Sequence, residues 1–165
     1  MVRGSFFDFF YDMVFLGLPI QNVLDVGSGS GKMIDYFTKR NITCYGIDIH
    51  PTRKDIQKMD IYNSGINSDS YDLVYSAHVL EHLKDPVRFR DEVFRISKRY
   101  ILIITPLPGK HFWDEPDHIR PYTCEALKRL FKVNNPIRCQ DIDIPFFEPI
   151  ALLFFEKEES RLNKN

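Results

Sequence analysis

The sequence predicts an α/β fold with a mostly parallel sheet, and two observations lead to that prediction. Apolar runs of strand length alternate with helical patterns along the 165 residues, as is typical of parallel strands joined by helices. A turn with glycine at every second position, residues 27–31, then joins the first strand to the first helical pattern. Such a strand-to-helix turn is a common place for a ligand in this fold class.

The apolar and polar patterns place the individual elements. We predict strands at 20–26 and 42–47, and helices at 33–39, 86–98 and 124–132. Asp85 and Thr123 are suitable N-caps for the last two helices, and Pro86 suits a first helical turn. Only a short helix fits between Asp48 and Asp60.

The glycine spacing separates three classes of ligand loop. A P-loop requires Gly-x-x-x-x-Gly-Lys-Ser/Thr, and here Gly31-Lys32 follows Val26 and precedes Met33, so that class is excluded. A dinucleotide fingerprint requires Gly or Ala where Lys32 stands, which makes a nicotinamide site a weak alternative. In each of these classes a ligand can approach the backbone closely, because glycine has no side chain. We expect free N–H groups at this turn.

The run Asp25-Val26-Gly27-Ser28-Gly29-Ser30-Gly31 resembles the first motif of the class I S-adenosylmethionine (SAM) dependent methyltransferases. Asp48 ends the second strand, and Asp60 follows at the place where this family recognises adenine. The stretch 71–86, with Ser76-Ala77-His78 and Leu-Glu-His-Leu, resembles the fourth strand and the segment after it. Residues 100–106 resemble the fifth strand, and 117–123 a stretch found before the next helix. The similarity runs from about 23 to 131, and Ser76-Ala77-His78 resembles the small-molecule (type 11-like) branch.

This resemblance implies a Rossmann-like class I methyltransferase fold: a mostly parallel seven-stranded sheet, helices on both faces, and a C-terminal antiparallel hairpin, here 137–144 with 150–156. The helix that the family usually has near 61–70 is expected to be short or missing, since Asn, Ser, Gly and Asp dominate there. We expect one domain over 1–165, with an N-terminal helix or lid (1–19), a SAM-binding core (20–158) and a solvated tail (159–165).

The resemblance also implies the cofactor, SAM, and its product S-adenosylhomocysteine. It assigns the methionine part to Gly27, Gly29 and the surroundings of Asp25. It assigns adenine to Asp60 and Ile61. A carboxylate at the position of Asp48 can accept hydrogen bonds from both ribose hydroxyls. Ile49 could cover one face of adenine, and the predicted cofactor set also includes Ser28, Gly31 and Ser76.

Composition and charge narrow the possibilities. A chain with 44% hydrophobic residues can bury a core, and a formal net charge of -1 argues against bulk electrostatic capture of nucleic acid. Cys44, Cys124 and Cys139 are odd in number, far apart and without a C-x-x-C pair. The simplest interpretation is reduced thiols in an intracellular, cytoplasmic protein, without a metal cluster.

Two segments are candidates for substrate contact. Residues 5–16 form an apolar helix pattern interrupted by Asp8 and Asp12. It is too short to span a membrane, so we expect it to be covered by protein, substrate or a second copy of the chain. The long loop 106–122 contains aromatic and basic residues, and long ordered loops are often functional.

Three residues are candidates for contact with the acceptor. His78 and His118 are the imidazoles expected nearest the methyl group, and Arg120 could orient an anionic part of the acceptor. His78, Glu81 and His82 superficially suggest a metal pair, but no third ligand is in sequence reach, so we expect no metal.

The predicted function is transfer of a methyl group from SAM to an acceptor, most simply a small molecule. Because no Asn-Pro-Pro-Tyr type motif follows the fourth strand, base or glutamine N-methylation by that route is disfavoured. Two further alternatives stay open. One is a macromolecular acceptor, RNA or protein, which a basic face at Lys84, Arg88, Arg90 and Arg95 would favour. The other is a non-catalytic SAM-binding or scaffold protein.

Overall fold

A computed structural model describes residues 6–109, 112–143 and 148–157. Seven strands form one sheet in the order β3-β2-β1-β4-β5-β7-β6. The strands are β1 (Asn22–Val26), β2 (Thr43–Asp48), β3 (Ile56–Lys58), β4 (Tyr71–Ala77), β5 (Ser97–Pro106), β6 (Arg138–Ile142) and β7 (Ile150–Glu156). The strands β1 to β5 pair in parallel, whereas β7 is antiparallel to both β5 and β6.

The described ranges contain four α-helices, which cover the sheet: α1 (Phe6–Phe15), α2 (Lys32–Thr38), α3 (Pro86–Ile96) and α4 (Cys124–Phe131). The predicted caps are confirmed, since the side chain of Asp85 accepts a hydrogen bond from the Arg88 N–H and that of Thr123 from the Ala126 N–H. Each cap satisfies one of the N–H groups that lack a partner in the first helical turn.

Two apolar clusters form the core, one on each face of the sheet. Alternation along the strands separates them, so that Leu24 belongs to the cluster with α3 and α4, and Val23 to the cluster with α1 and α2. Phe89 and Leu127 are fully buried on the first face, and Phe37 on the second.

The strand order brings the candidate site to one edge. In register, Val26 lies opposite Ile47 of β2 and Ser76 of β4. The chain therefore leaves β1, β2 and β4 at the same edge of the sheet. From β1, the chain adds β2 and β3 on one side of the sheet and β4 and β5 on the other. In open α/β sheets, ligands bind at the carboxyl ends of the strands where the strand order reverses in this way.

The predicted elements are confirmed apart from one segment. No helix forms between Asp48 and Asp60; β3 lies there instead, because Ile56 is buried and pairs with Gly46 at the edge of the sheet. Between 61 and 70 the structure has a single 3₁₀ turn, Ile61–Asn63, as the resemblance implied. The tail 159–165, the first residues of the chain and Ile144 of the predicted hairpin lie outside the described residues.

The expectation of three reduced thiols is wrong for one pair. Cys124 and Cys139 form a disulfide, with Cα atoms 5.5 Å apart, whereas Cys44 is free. The Cys124 N–H donates to the Asp141 carboxylate (2.7 Å), which holds the start of α4 against β6. Sequence separation alone could not show this contact. Within the described part of the chain, none of the helices has the length and apolar character needed to cross a membrane.

Candidate active site

A pocket of about 970 Å³ lies at the edge where β1, β2 and β4 end. Backbone and side chains of the glycine turn form one side, and aromatic residues of α1 form another. Among the described lining residues, Lys32 is the only lysine or arginine, whereas five carboxylates face the pocket: Asp25, Asp48, Asp60, Asp117 and Glu148. The pocket therefore favours a ligand that is partly apolar and carries positive charge.

The glycine turn is built on positive backbone angles. Gly27, Gly29 and Gly31 have φ values of 78°, 50° and 75°, a region that other residues reach only at a cost. A Cβ on Gly27 would lie 2.1 Å from a methyl carbon of Val79, whereas a Cβ on Gly29 would meet no atom of the described residues within 4 Å. Gly27 therefore permits close packing inside the protein, and Gly29 leaves open space at the pocket.

Four of the turn's five N–H groups, those of Gly27, Ser28, Gly29 and Gly31, donate within the protein, which corrects the expectation of free donors at these positions. The N–H groups of Gly27 and Ser28 donate to the Ile47 carbonyl, and that of Gly31 to the Ser28 carbonyl. The Gly29 N–H donates to Asp48 Oδ2 (2.9 Å). Because the turn crosses the end of β2, the N–H groups of Gly27, Ser28 and Gly29 are satisfied there, as buried N–H groups require.

Sequence reasoning missed Gly46, which makes that crossing possible. A Cβ at this position of β2 would lie 2.4 Å from Ser28 Oγ and 2.7 Å from Ile34 Cδ1. The available signal was a glycine inside a predicted strand, which often marks a close backbone approach.

Asp48 holds the end of β2 against the turn. Its Oδ2 accepts from Gly29 and its Oδ1 from the His50 N–H (2.7 Å). Each carboxylate oxygen can accept a second hydrogen bond, so Asp48 can still receive ligand hydroxyls. Ile49, next in the chain, lines the pocket and is 57% exposed.

Asp60 and Ile61 form the next part of the wall. Asp60 Oδ1 caps the 3₁₀ turn by accepting from the Tyr62 N–H (2.9 Å), and Ile61 is buried with its surface toward the pocket. Met59 lies beside them. This combination of an acid and apolar side chains suits the edge and face of a purine.

Asp25 is a buried acid at the end of β1. It is only 2% exposed, and burial raises its pKa to about 7, with a hydrogen bond from Ser28 opposing the effect and the negative charge of Asp48 adding to it. It also lines the pocket. A cationic ligand there would favour the charged carboxylate.

Three predicted cofactor residues turn out to support the frame. Ser28 Oγ donates to the Asp25 carbonyl (2.9 Å), and Ser76 Oγ donates to the Val26 carbonyl (3.0 Å). Ser28 still borders the pocket, but Ser76 and Gly31 are outside its lining. Gly31 packs under the guanidinium of Arg53, which a Cβ would displace.

The N-terminal helix covers one side of the pocket. Phe7, Phe10 and Tyr11 of α1 line it, and the hydroxyl groups of Tyr11 and Tyr75 are hydrogen-bonded at 2.6 Å. Asp12 accepts from Arg40 Nε (2.7 Å) and from the Tyr36 hydroxyl (2.8 Å), which fixes α1 to α2. The expectation that protein covers this helix is confirmed for the face that carries the buried side chain of Tyr11.

The structure separates the three candidate acceptor contacts. His78 follows β4 with φ 56° and lines the pocket. Burial lowers its pKa, with His118 and His82 adding to the effect and Glu148 opposing it. Arg120 donates to the Tyr122 hydroxyl (3.3 Å), and His118 bonds through Nδ1 to the Phe112 carbonyl (2.7 Å). Neither His118 nor Arg120 is part of the pocket lining.

The pocket fits SAM when its parts are compared with those of the cofactor. Asp48 retains acceptor capacity for a ribose, Asp60 with Ile61 suits a purine, and the open space beside Gly29 admits the methionine chain. The acidic lining complements the sulfonium and ammonium charges.

The fold and this site together define a Rossmann-like cofactor-binding protein. The family model of the methyltransferase domain matches residues 16–135, so the chain belongs to that family, which uses SAM. The predicted resemblance and cofactor class are thereby confirmed. Ajmaline N-methyltransferase of Rauvolfia serpentina is 31% identical over 101 residues, which cover 51% of this chain and only 35% of that protein.

Solved structures share the fold at low identity. A SAM-dependent methyltransferase from Archaeoglobus fulgidus aligns with a TM-score of 0.70 and 17% identity, covering 94% of this chain and 96% of the other. The 1,6-didemethyltoxoflavin-N1-methyltransferase of Burkholderia thailandensis, solved with S-adenosylhomocysteine, aligns with a TM-score of 0.74 and 14% identity. That alignment covers 91% of this chain and 76% of the other. The predicted fold class is confirmed.

Proposed function

We propose that this protein transfers a methyl group from SAM to a small-molecule acceptor bound under α1. The main support is a single pocket that has Asp48 and the glycine turn on one side and Phe7, Phe10 and Tyr11 on another. Methyl transfer needs chiefly alignment of the two partners and exclusion of water. A pocket that joins a cofactor region to an apolar cover provides both.

The assignment of cofactor contacts follows the site. Asp48 binds the ribose, Asp60 and Ile61 bind the adenine, and Ile49 covers one of its faces. The methionine part lies beside Asp25, Gly27 and Gly29. SAM supplies a methyl group that its sulfonium already makes electrophilic, so the chain need not activate it.

His78 is the proposed contact for the acceptor. It lies at the end of β4 within the pocket, and its side chain is 46% exposed. Because His118 and Arg120 are outside the lining, the proposal retains only His78 of the three predicted residues. The acceptor is expected to carry an apolar body, which the α1 aromatics would bury.

Calorimetry with S-adenosylhomocysteine tests the cofactor assignment. Asp48→Ala should weaken binding by about 1.5 to 3 kcal/mol, through lost hydrogen bonds to a charged group. Gly29→Leu should abolish it, because the side chain would enter the open space. Asp91→Ala, an exposed acid on α3 outside this pocket, is the matched control. Unchanged binding in both site variants would reject the assignment.

Methyl-labelled SAM with fractionated cell extract tests the reaction. Label in a small-molecule fraction supports the proposal, whereas label in RNA or protein favours the macromolecular alternative. Of the four basic side chains that would favour a macromolecule, the three arginines already have internal partners: Arg88 donates to the Tyr62 carbonyl, Arg90 to the Leu130 carbonyl and Arg95 to the Ile66 carbonyl. Binding without label in any fraction would indicate a non-catalytic SAM-binding protein.

A homodimer through α1 is part of the proposal. Phe9, Met13 and Leu16 are 63%, 48% and 77% exposed, and apolar patches of this kind often mark an interface. Phe9→Glu with Leu16→Glu should lower the mass in solution to that of one chain, whereas a wild-type mass of one chain would reject the dimer. A cytoplasmic location stays a prediction. It depended on reduced thiols, and the disulfide between Cys124 and Cys139 removes that support.

A further inference from the structure

We infer that Glu81, His82 and His118 form a binding site for one divalent transition-metal ion of the Zn²⁺ class, beside the proposed methyl-transfer pocket. Each residue offers one ligand atom, and these atoms all lie within 4.8 Å of one another. The inference reverses the expectation of no metal and goes beyond the proposed function.

Glu81 gives the first argument. It lies on the 3₁₀ turn Leu80–His82 and is fully buried. Neither carboxylate oxygen has a hydrogen-bond partner among the described residues. The nearest nitrogens, His78 Nδ1 at 3.7 Å and His82 Nε2 at 3.8 Å from Glu81 Oε1, lie beyond hydrogen-bond distance. Because a buried carboxylate without a hydrogen bond is costly, a metal ion bound here would supply the charge that stabilises it.

The two imidazoles are held in the tautomer that a metal requires. His118 Nδ1 lies 2.7 Å from the Phe112 carbonyl oxygen, which can only accept, so Nδ1 carries the proton. His82 Nδ1 lies 3.3 Å from both the carbonyl and the carboxylate of Asp117. In each ring the Nε2 lone pair is therefore available, and such outer hydrogen bonds are usual for metal-binding histidines.

The backbone explains how a distant third ligand joins the pair. The Glu81 carbonyl accepts hydrogen bonds from the N–H groups of Ile119 (2.8 Å) and Arg120 (3.2 Å). These bonds fix the segment after His118 against the 3₁₀ turn, and the rings of His82 and His118 approach to 4.8 Å between centroids. Sequence spacing could not reveal a ligand that arrives through the loop.

The donor set indicates the class of ion. Two imidazole nitrogens and one carboxylate oxygen are a common set for Zn²⁺ with an open position. A tetrahedral Zn²⁺ site needs ligand atoms about 3.4 Å apart, so small side-chain rotations would bring these three into range. His82 also lines the pocket, so the open coordination position would be accessible to a donor atom of the acceptor.

Titration of the chelator-treated full chain with Zn²⁺, in the absence of SAM and acceptor, tests the site. We expect one equivalent to bind and to raise the melting temperature. Co²⁺ should bind at the same place and give a visible absorption band of a low-symmetry site. Failure of methyl transfer would leave this measurement unaffected, so the two proposals can fail separately.

Glu81→Gln and His118→Ala are the test variants, and each should weaken Zn²⁺ binding more than about 10-fold. His50→Ala removes an exposed imidazole outside the cluster and should bind Zn²⁺ as the wild type does. Circular dichroism verifies folding, and His118→Ala, at a half-buried position, serves if Glu81→Gln does not fold. Absence of Zn²⁺ binding in the wild type, or one equivalent bound equally by His118→Ala, would overturn the inference.

Discussion

At the scale of single residues, the two acids at the ends of β1 and β2 have different environments. Asp48 is half-buried and accepts two backbone hydrogen bonds. Asp25 is enclosed by Tyr11, Tyr75 and Cys44, which burial keeps neutral by raising their pKa values. Asp48 therefore offers carboxylate oxygens that can accept hydrogen bonds from a sugar, whereas the charge of Asp25 depends on what is bound.

Asp25→Asn should change how stability depends on pH. The pKa of Asp25 is about 7 in the folded protein and about 3.9 in an unfolded chain. Between these values the folded state binds more protons, so the Asp25 contribution to the free energy of unfolding falls as pH rises from about 4 to about 7, and is constant above. The stability difference, variant minus wild type, should increase by up to about 4 kcal/mol from pH 4 to pH 8.

Urea unfolding at a series of pH values measures this difference. Burial also raises the pKa of Glu81 to about 7. Because Glu81 is present in both the variant and the wild type, its contribution cancels in the difference between their free energies of unfolding. A difference that is flat between pH 4 and pH 8 would contradict the buried, protonated state of Asp25.

The role of a residue could be predicted from the sequence where the residue lies next to a predicted strand end. It could not be predicted for residues of the long loop. Gly27, Gly29 and Asp48 lie at fixed distances from strand ends, so the motif located them at the pocket. His118 and Arg120 come from a long loop whose path depends on bonds to Glu81, which no local pattern encodes. Glu148 and Tyr11 line the pocket through equally distant contacts.

At the scale of elements, the contact between β2 and the glycine turn can be tested at Gly46. An added methyl group would lie under 3.0 Å from Ser28 and Ile34, so Gly46→Ala should reduce the free energy of unfolding by about 1 to 3 kcal/mol through overpacking. Gly109→Ala is the control, because among the described residues its Cβ would meet only the Leu107 carbonyl oxygen, at 3.9 Å. Equal stability of the two variants in denaturant would contradict this account of the crossing.

The junction of α4 and β6 leads to a redox prediction. The disulfide between Cys124 and Cys139 closes a segment with a sequence separation of 15, for which the chain-entropy estimate is about 3 kcal/mol. Reducing agent should therefore lower the melting temperature of the wild type but leave Cys139→Ser unchanged. A wild type indifferent to reducing agent would mean that the pair is reduced in solution, as a cytoplasmic location would require.

The elements also show why sequence patterns fail at edges. The sequence predicts the core strands and the capped helices, because apolar periodicity and capping residues depend on positions that are close together in the chain. The segment before Asp60 has one buried residue, Ile56, and the bonds of Arg53 to the Ser30 and Gly31 carbonyls hold it to the glycine turn. Those contacts favour the edge strand β3 over a short helix, and they are not local in sequence.

At the scale of the whole molecule, charge is distributed unevenly although the formal net charge is only -1. Acids concentrate around the pocket, whereas the arginines of α3 bind carbonyl groups on the outer side. The acids at the pocket thus attract a cationic cofactor. The distribution of charge supports the proposed transfer from a cationic cofactor.

The predicted single domain should unfold in one cooperative step that S-adenosylhomocysteine shifts. A ligand that binds only the folded state adds about 2.7 kcal/mol to the free energy of unfolding when its concentration is 100 times its dissociation constant. For a chain of this size, that corresponds to a rise of about 5 to 10 °C in the melting temperature. NAD should give no shift, since Lys32 stands where the dinucleotide turn needs a small residue. Asp48→Ala, compared at the same ligand concentration, should lose most of the shift. Two separate transitions in calorimetry, or a shift with NAD as large as with S-adenosylhomocysteine, would contradict the assignment.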